Sequence, residues 1–334
     1  MLQPCDVPVT SLKSENLQLD LQVSFFCCNF VGKLRLNIMI LIADSGSTKA
    51  HWCLMTANGQ HSEFMTDGIN PMFQTCVAMQ NSISNHLLPQ IGSLLWAGKL
   101  THIFFYGAGC TPEKAPFVKK ALQNIFKEAE IQVESDMLGA ARGLLGHQKG
   151  VACILGTGSG SCLYDGNVIK WSVPSLGYIL GDEGSAATLG QRLVSDALKN
   201  QLGADLKELF LTENNLTQAD ILEQVYRQPF PNRYLANLAR FCGNHLDDNR
   251  IHDLLYDHFA CFVTRNVAQY YEEDGTELTE TMNMPVGFVG SVAYFYKDIL
   301  AEVLSDYGFM LGQIMRDPIP GLIQYHEGDI VPTM

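Results

Sequence analysis

The chain has 334 residues, of which 47% are hydrophobic and 17% charged, and its 35 acidic against 22 basic residues give a formal net charge of −13. This length and composition predict a globular protein with two domains or two lobes, and the acidic surplus argues against nucleic acid as a partner because phosphates would be repelled. The longest apolar stretches, residues 23–30 and 39–43, are far shorter than the ~20 residues that a spanning helix needs, so no membrane segment is predicted.

Ten cysteines are scattered along the chain without a C-x-x-C pair, and several lie inside apolar runs such as residues 151–155. This pattern favours buried, reduced thiols over a disulfide framework, a structural zinc site or an iron–sulfur site. Reduced thiols are typical of cytoplasmic proteins. The sequence therefore predicts a cytoplasmic location.

Residues 1–38 carry no clear structural pattern. They make a poor secretory signal, because Asp6 and Glu15 precede the apolar run and basic residues follow it. Met39 opens a strong strand directly after this segment. One hypothesis is that translation starts at Met39 and that residues 1–38 are an extension; an intact mass of the natively expressed protein that includes them would reject it.

From residue 39 the hydrophobic pattern predicts the order βββαβαβα. Asn58-Gly59 between the second and third strands is typical of a hairpin turn. The predicted strands are residues 39–43, 51–56, 60–66, 101–106 and 130–134, and the predicted helices are residues 72–88, 112–129 and 137–145.

A second three-stranded meander begins after Gly150. The predicted strands are residues 151–155, 161–164, 168–172 and 285–289, and the predicted helices are residues 182–201, 218–226, 233–241, 250–271, 292–305 and 318–326. Each half thus opens with three hairpin-linked strands and a glycine turn after the first of them. This repetition predicts a structural duplication, with two similar lobes facing each other across a cleft.

The first glycine turn, DSGSTK at residues 44–49, has the composition of an anion site. Gly46 permits a backbone conformation that can aim amides at an anion, and Ser47 and Thr48 add hydroxyl donors. Asp44 at the end of a buried strand is suited to hold Mg²⁺, directly or through water. The alternative for the same residues is a plain polar hairpin turn.

The second glycine turn, GTGSG at residues 156–160, leads into a predicted strand and not into a helix. A dinucleotide-binding fingerprint requires a helix after its glycines, so this turn argues against NAD. The sequence also contains no Walker-type G-x-x-x-x-G-K-[ST] motif. The two turns at equivalent points of two lobes are instead suited to hold the phosphates of ATP from both sides through backbone N–H groups.

Three further positions at element ends are candidates for a site. Asp136 follows a strand and precedes a helix, Asp182 and Glu183 open a predicted helix, and Gly290 forms a tight strand-to-helix turn. The acidic residues have helix capping as their alternative role, and Gly290 has either close packing or the approach of an adenine ring.

Taken together, these motifs resemble the superfamily of ATP-binding folds that contains sugar kinases and actin, and more narrowly the BadF/BadG/BcrA/BcrD-type ATPase family, which includes N-acetylglucosamine kinase. The resemblance covers essentially residues 39–326. It rests on five features in a fixed order: DSGSTK at 44–49, Asn70 after Gly68-Ile69, Ser135-Asp136, GTGSG at 156–160 leading to GDEGSA at 181–186, and VGSVA at 289–293.

This resemblance implies an α/β fold of two duplicated βββαβα lobes, of the ribonuclease H-like and actin-like type, with a cleft between them. The implied domains are an N-terminal extension (1–38), an N-terminal lobe (39–146), a C-terminal lobe with a helical insertion (147–313) and a C-terminal segment (314–334) that packs back on the N-terminal lobe.

The resemblance also implies a role for each matching residue. Asp136 matches the catalytic base and a sugar ligand, Asn70 and Asp182 match residues that hydrogen-bond sugar hydroxyls, and Asp44 matches the metal-binding position. The residues that match ATP-binding positions are Ser45, Gly46, Ser47, Thr48, Lys49, Gly156, Thr157, Gly158, Ser159, Gly290 and Ser291.

The implied activity is transfer of the γ-phosphate of ATP, with Mg²⁺, to a hydroxyl of an amino sugar, O6 by analogy. N-acetylglucosamine, glucosamine and N-acetylmuramic acid all remain open as acceptors, because Leu176 stands where the animal N-acetylglucosamine kinases have a tryptophan six residues before the GDEG aspartate. A homodimer also remains open.

Two other functions are compatible with the fold. One is an ATP-driven activator of a radical dehydratase or reductase, which would hold an iron–sulfur cluster between subunits; the cysteines form no pair at the expected turns, and an absorption band near 400 nm, a rough position for such a cluster, would favour it. The other is a sugar or nucleotide sensor without catalysis, for which a carboxylate at Asp136 is not needed.

Overall fold

The computed structural model describes residues 37–272 and 284–330. Residues 1–36 of the predicted extension, residues 273–283 of the predicted C-terminal lobe and residues 331–334 of the predicted C-terminal segment lie outside the described residues.

The first half of the chain forms a five-stranded sheet in the order β3-β2-β1-β4-β5. Its strands are β1 (Asn37–Ser45), β2 (Lys49–Thr56), β3 (His61–Asp67), β4 (Gly98–Gly107) and β5 (Glu130–Ser135). Strand β1 is antiparallel to β2 and parallel to β4. Met39 and Leu41 face one core cluster and Ile40 and Ile42 the other, which explains why β1 has a continuous apolar sequence.

Helices cover both faces of this sheet. They are α1 (Cys76–Ser82), α2 (Leu88–Ile91), α3 (Ala115–Ile125) and α4 (Asp136–Leu145), with a π-helical turn (Ile83–Leu87) between α1 and α2 and a 3₁₀ turn at Leu94–Ala97. The predicted helix 72–88 begins only at Cys76, because Thr75 caps it and accepts a hydrogen bond from the N–H of Ala78 (3.2 Å).

The second half repeats this plan in a sheet of order β10-β9-β6-β7-β8. Its strands are β6 (Gly150–Leu155), β7 (Ser159–Tyr164), β8 (Ile169–Trp171), β9 (Val286–Val289) and β10 (Leu311–Met315). Strand β6 is antiparallel to β7 and parallel to β9, as β1 is to β2 and β4. The predicted α/β fold of two duplicated lobes is confirmed.

A helical region separates β8 from β9 in the described part of the second half. Its helices are α5 (Ala186–Leu198), α6 (Ala204–Glu213), α7 (Gln218–Arg227), α8 (Pro231–Leu238), α9 (Arg240–Asn244), α10 (Asn249–Phe262) and α11 (Gln269–Glu272), with a π-helical turn at Val263–Val267. After β9 come α12 (Ser291–Phe295), α13 (Lys297–Asp306) and, beyond β10, α14 (Ile319–His326) and a 3₁₀ turn (Glu327–Ile330).

Several predicted elements were wrong in extent or were missed. The helix predicted from residue 182 begins at Ala186, because Asp182 and Gly184 have positive φ angles of 57° and 77° that no helix accepts. The helix predicted at 292–305 is two helices that meet at Tyr296. Helix α6 and strand β10 were not predicted.

One helix from each half of the chain packs against the sheet of the other half. Helix α4 packs its apolar side, including Leu138 and Leu144, against β6 and β9 of the second sheet, while Ile319 and Leu322 of α14 pack against β1 of the first sheet. No helix among the described residues is long and apolar enough to cross a membrane. The domain boundaries at residues 38, 146 and 313 remain predictions.

Candidate active site

The first glycine turn is a tightly closed hairpin between β1 and β2. The N–H of Gly46 donates to the carbonyl of Lys49 (3.0 Å), and the N–H of Gly68 donates to the carbonyl of Thr48 (3.1 Å). A Cβ at Gly68 would lie 2.7 Å from the Thr48 nitrogen, so only glycine fits there. Ser47, Thr48 and Lys49 are exposed at the tip, where they are accessible to a ligand.

Ser45 and Asn70 connect this hairpin to the segment that follows β3 through hydrogen bonds. The hydroxyl of Ser45 is buried, accepts the N–H of Ile69 (2.8 Å) and donates to the Ile69 carbonyl (3.1 Å). The side-chain amide of Asn70 donates to the Ser47 hydroxyl (2.7 Å), and its oxygen accepts the N–H of Met72 (2.9 Å). Asn70 therefore ties the predicted sugar-binding loop to the predicted phosphate turn.

Asp44 lies at the end of β1 in a strongly acidic environment. Burial foremost, then the charges of Asp136 and Asp317, raise the pKa of Asp44 to about 7, against a smaller lowering effect of His51 and Lys49. A bound cation would relieve this repulsion and return Asp44 to its charged form.

The donor chemistry of Asp44 fits Mg²⁺, which prefers hard oxygen ligands. Within residues 37–272 and 284–330, no three His, Cys, Asp or Glu side chains converge closely enough to hold an ion by themselves. Asp44 would therefore be one protein ligand among phosphate and water oxygens, which is how Mg²⁺ usually binds with a nucleotide.

Asp317 was missed in the sequence, although it contributes to the electrostatics of Asp44. It lies between β10 and α14, and its carboxylate is 3.4 Å from Nδ1 of His51, whose Nε2 is 2.9 Å from Glu63. Residues Asp44 and His51 are direct cross-strand partners. Asp317 has no local motif, and only the return of the chain to the first sheet brings it here.

Asp136 is the first residue of α4, directly after β5. Helix capping, the alternative role considered for Asp136, falls to Ser135, whose hydroxyl accepts the N–H of Leu138 (3.2 Å). Burial raises the pKa of Asp136, and hydrogen bonds from backbone N–H groups, including Met137 to Oδ1 (3.0 Å), partly oppose this. A partly buried carboxylate with a raised pKa is suited to accept a proton.

A cavity of about 810 Å³ opens beside Asp136. Its wall includes the loop at 109–112, Lys119 and Glu134. Gly109 lies against Asn70 and Met72, since a Cβ there would be 2.7 Å from Cγ of Met72. Asn70 thus contacts the loop that lines this cavity together with Asp136.

The second glycine turn is anchored on the N-terminus of α5. The carbonyls of Gly156 and Thr157 accept the N–H groups of Ala186 (2.8 Å) and Ala187 (3.2 Å). The N–H of Ser159 donates to the Asp182 carboxylate, and a Cβ at Gly158 would lie 3.0 Å from Oδ2 of Asp182. Asp182, which is predicted to bind the sugar, therefore contacts the second glycine turn, which is predicted to bind phosphate.

The alternative capping role of Asp182 and Glu183 is wrong, because Ser185 caps α5 and accepts the N–H of Thr188 (3.2 Å). Leu176, in the loop that precedes Asp182, is 56% exposed. It lies beside Gly181, because a Cβ added at Gly181 would be 3.2 Å from the Cβ of Leu176. Leu176 is therefore close in sequence to Asp182, which is predicted to bind the sugar, and its side chain is accessible to a bound sugar.

Gly290 connects β9 to α12 at the base of the second turn. Its φ is 122°, and a Cβ would lie 2.7 Å from the carbonyl carbon of Leu155, the last residue of β6. Close packing thus requires glycine here. Ser291 begins α12 next to it, so both predicted adenosine residues adjoin the second glycine turn.

No protein-family model and no curated protein matches this chain. Solved structures do match it. A protein of Porphyromonas gingivalis, to which N-acetylglucosamine kinase activity is ascribed, is 45% identical; the match covers 88% of this chain and 100% of that chain, with a TM-score of 0.81. The chain belongs to the family of N-acetylglucosamine kinase-like ATPases.

A second structure, from Chromobacterium violaceum and with the same ascribed activity, is 17% identical over 87% of this chain and 99% of that chain, with a TM-score of 0.65. At this identity the match supports the fold alone. The resemblance inferred from the five ordered motifs is confirmed by the first of the two relatives.

Proposed function

We propose that this protein is an ATP-dependent kinase that transfers the γ-phosphate to O6 of an amino sugar, with N-acetylglucosamine as the first acceptor to test and glucosamine and N-acetylmuramic acid as related ones. The full-length relative at 45% identity carries this proposal. The carboxylates of Asp44 and Asp136, which lie close enough for the charge of Asp136 to raise the pKa of Asp44, support it from the chemistry of the site, as does the donor-rich composition of the two glycine turns.

Asp136 is the proposed base. Met137 holds Oδ1 through its N–H, which leaves Oδ2 to accept the proton of the attacking sugar hydroxyl. A raised pKa makes the carboxylate a stronger base than an exposed aspartate, and a positioned base typically contributes ~10²–10⁴-fold to the rate. The partly buried position of Asp136 also limits competition from water.

The two glycine turns and Asp44 are the proposed phosphate site. Ser47, Thr48 and Lys49 present donors at the tip of the first turn, and residues 156–159 form the second turn. Mg²⁺ held at Asp44 would neutralise charge on the phosphates, the usual contribution of this ion in phosphoryl transfer. Asn70 and Asp182 are proposed to orient the sugar, because each touches one of the turns.

A coupled ADP-release assay over amino sugars and neutral hexoses tests the proposal, with NMR of the product to locate the new phosphate. We expect ADP release that depends on an amino sugar and a product phosphorylated on O6. ADP release that is equal with and without every sugar tested would contradict the proposal and favour an ATPase of another kind.

A further inference from the structure

The loop at residues 181–185, which carries Asp182, is held in place by one face of α10 and the π-helical turn that follows it. His258 donates from Nε2 to the carbonyl of Ser185 (3.0 Å), and Nε of Arg265 lies 2.5 Å from Oε1 of Glu183. Phe262 packs under Gly184, where a Cβ would be 2.9 Å from the Phe262 ring. Three side chains of one helical segment thus contact three successive loop residues.

One residue of this loop, Asp182, has a backbone conformation that is uncommon for a residue other than glycine. Asp182 has a φ of 57° and Gly184 a φ of 77°, both in the left-handed region. A non-glycine residue such as Asp182 stays in this region only where its surroundings hold it there. The carbonyl of Asp182 accepts the Thr188 hydroxyl (2.8 Å) and the N–H of Ser185 (3.0 Å), but these bonds engage Asp182 and Ser185 and not Glu183.

The position of the loop decides where the Asp182 carboxylate points. This carboxylate lies against Gly158 and accepts the N–H of Ser159 in the second glycine turn. A small shift of Glu183 would therefore move the neighbouring Asp182 relative to the turn. π-Helical turns such as Val263–Val267, which carries Arg265, occur frequently at functional sites.

We infer that Arg265 is a positioning residue for sugar binding, which acts through Glu183 on Asp182. The inference rests on the proposed function. The Arg265 side chain is 62% exposed and that of Glu183 20% exposed, and exposed ion pairs contribute little to folding stability. The pair is therefore placed to fix the geometry of the loop without being required for the fold.

The test is Arg265→Met, with Arg265→Lys as the conservative variant and Arg192→Met as the matched control. Arg192 on α5 forms a comparable exposed ion pair with Asp257 of the same α10 (2.8 Å). We expect Arg265→Met to raise KM for the amino sugar on the order of 10-fold, below the ~10²-fold that a 1 Å misplacement can cost. Because ground-state and transition-state binding of the sugar are lost together, kcat should stay unchanged.

The conservative variant and the control decide what the KM change means. Arg265→Lys should recover most of the affinity, and Arg192→Met should keep the wild-type KM for the sugar. All variants should keep the wild-type melting temperature to within about 2 °C. Equal sugar KM values for Arg265→Met and Arg192→Met would overturn the inference.

Hydrogen exchange of the amides at 181–185 separates failure of this inference from failure of the proposed function. We expect faster exchange in Arg265→Met than in Arg192→Met, whatever the acceptor is. If the wild type phosphorylates no amino sugar, the proposed function falls, and exchange then decides whether Arg265 holds the loop. Equal exchange in the two variants would overturn the positioning role.

Discussion

Asp44 and Asp136 illustrate how two like residues at strand ends acquire different chemistry. Burial raises the pKa of both, but the Asp44 carboxyl is also repelled by Asp136 and Asp317, whereas Asp136 is partly stabilised by backbone N–H donors. Repulsion among carboxylates makes Asp44 the better cation ligand. Backbone hydrogen bonds keep Asp136 oriented as a base.

Asp136→Asn removes the proposed base while it preserves the shape of the side chain and its contact to Met137. We expect kcat for sugar phosphorylation to fall by ~10²–10⁴-fold. The affinity for ATP should change little, because the substitution leaves the residues of both glycine turns unchanged. Steady-state kinetics and nucleotide titration measure both quantities. A variant with the wild-type kcat would exclude Asp136 as the base.

The sequence predicted the residues that sit in local motifs and missed those that depend on distant contacts. The glycine turns, Asp44 and Asp136 were visible because each lies at the end of a strand, and Asp182 was visible because it opens a predicted helix. His51, Asp317, His258 and Arg265 have no such signal, because their roles arise from elements far away in the chain. The individual roles predicted for the site residues remain predictions.

At the scale of elements, two helices cross at glycines. Gly143 of α4 and Gly321 of α14 lie so close that a Cβ at Gly321 would collide with the carbonyl of Gly143. This close approach lets α4 cover the second sheet while α14 covers the first. The crossing therefore joins the two halves at the level of their backbones.

Gly321→Ala should destabilise the protein by ~1–3 kcal/mol, as overpacking at a tight contact typically does. Gly328→Ala is the matched control, since a Cβ at Gly328 meets nothing within 4 Å. Urea unfolding of both variants gives the two free energies of unfolding. Equal stability of the two variants would contradict the tight crossing.

The elements that the sequence missed are those whose existence depends on tertiary pairing. Strand β10 is short, lies at the edge of its sheet, contains Gly312 and is held by its parallel partner β9. Helix α6 has apolar residues on more than one face, with Phe210 buried and Leu209 exposed. The strong β1 pattern, by contrast, was predicted correctly, and the helix predicted at 250–271 was correct in its start but contains the π-helical turn Val263–Val267.

At the scale of the whole molecule, the chain crosses between its two sheets after β10, and Asp317 lies at this crossing. Its ion pair with His51 joins the crossing to β2 of the first sheet. The hydrogen bond to Asp317 is the largest of the effects that raise the pKa of His51, and the same bond lowers the pKa of Asp317. This pair is therefore a pH-dependent contact between segments far apart in the sequence.

The ion pairs of His51 with Asp317 and with Glu63 should stabilise the fold most at mildly acidic pH. Since the pKa of His51 is raised in the folded state, its contribution is fully present below its unfolded pKa of 6.5 and is lost as pH rises through the folded value. Since the pKa of Asp317 is lowered, its contribution is present above 3.8 and is lost as pH falls through the folded value.

His51→Gln should therefore lower the free energy of unfolding by ~1 kcal/mol near pH 5.5 and by less near pH 8.5. Chemical denaturation at both pH values measures the difference, with the wild type as reference. A loss that is equal at the two pH values, or larger at pH 8.5, would contradict the charged pair.

If the proposed function is correct, one cleft binds ATP and an amino sugar together. A crystal structure with a non-hydrolysable ATP analogue, Mg²⁺ and N-acetylglucosamine would show both ligands at once. We expect the triphosphate between residues 46–49 and 156–159, Mg²⁺ next to Asp44, and a sugar hydroxyl within hydrogen-bond distance of Asp136. A triphosphate bound away from either turn, or a sugar far from Asp136, would contradict this expectation.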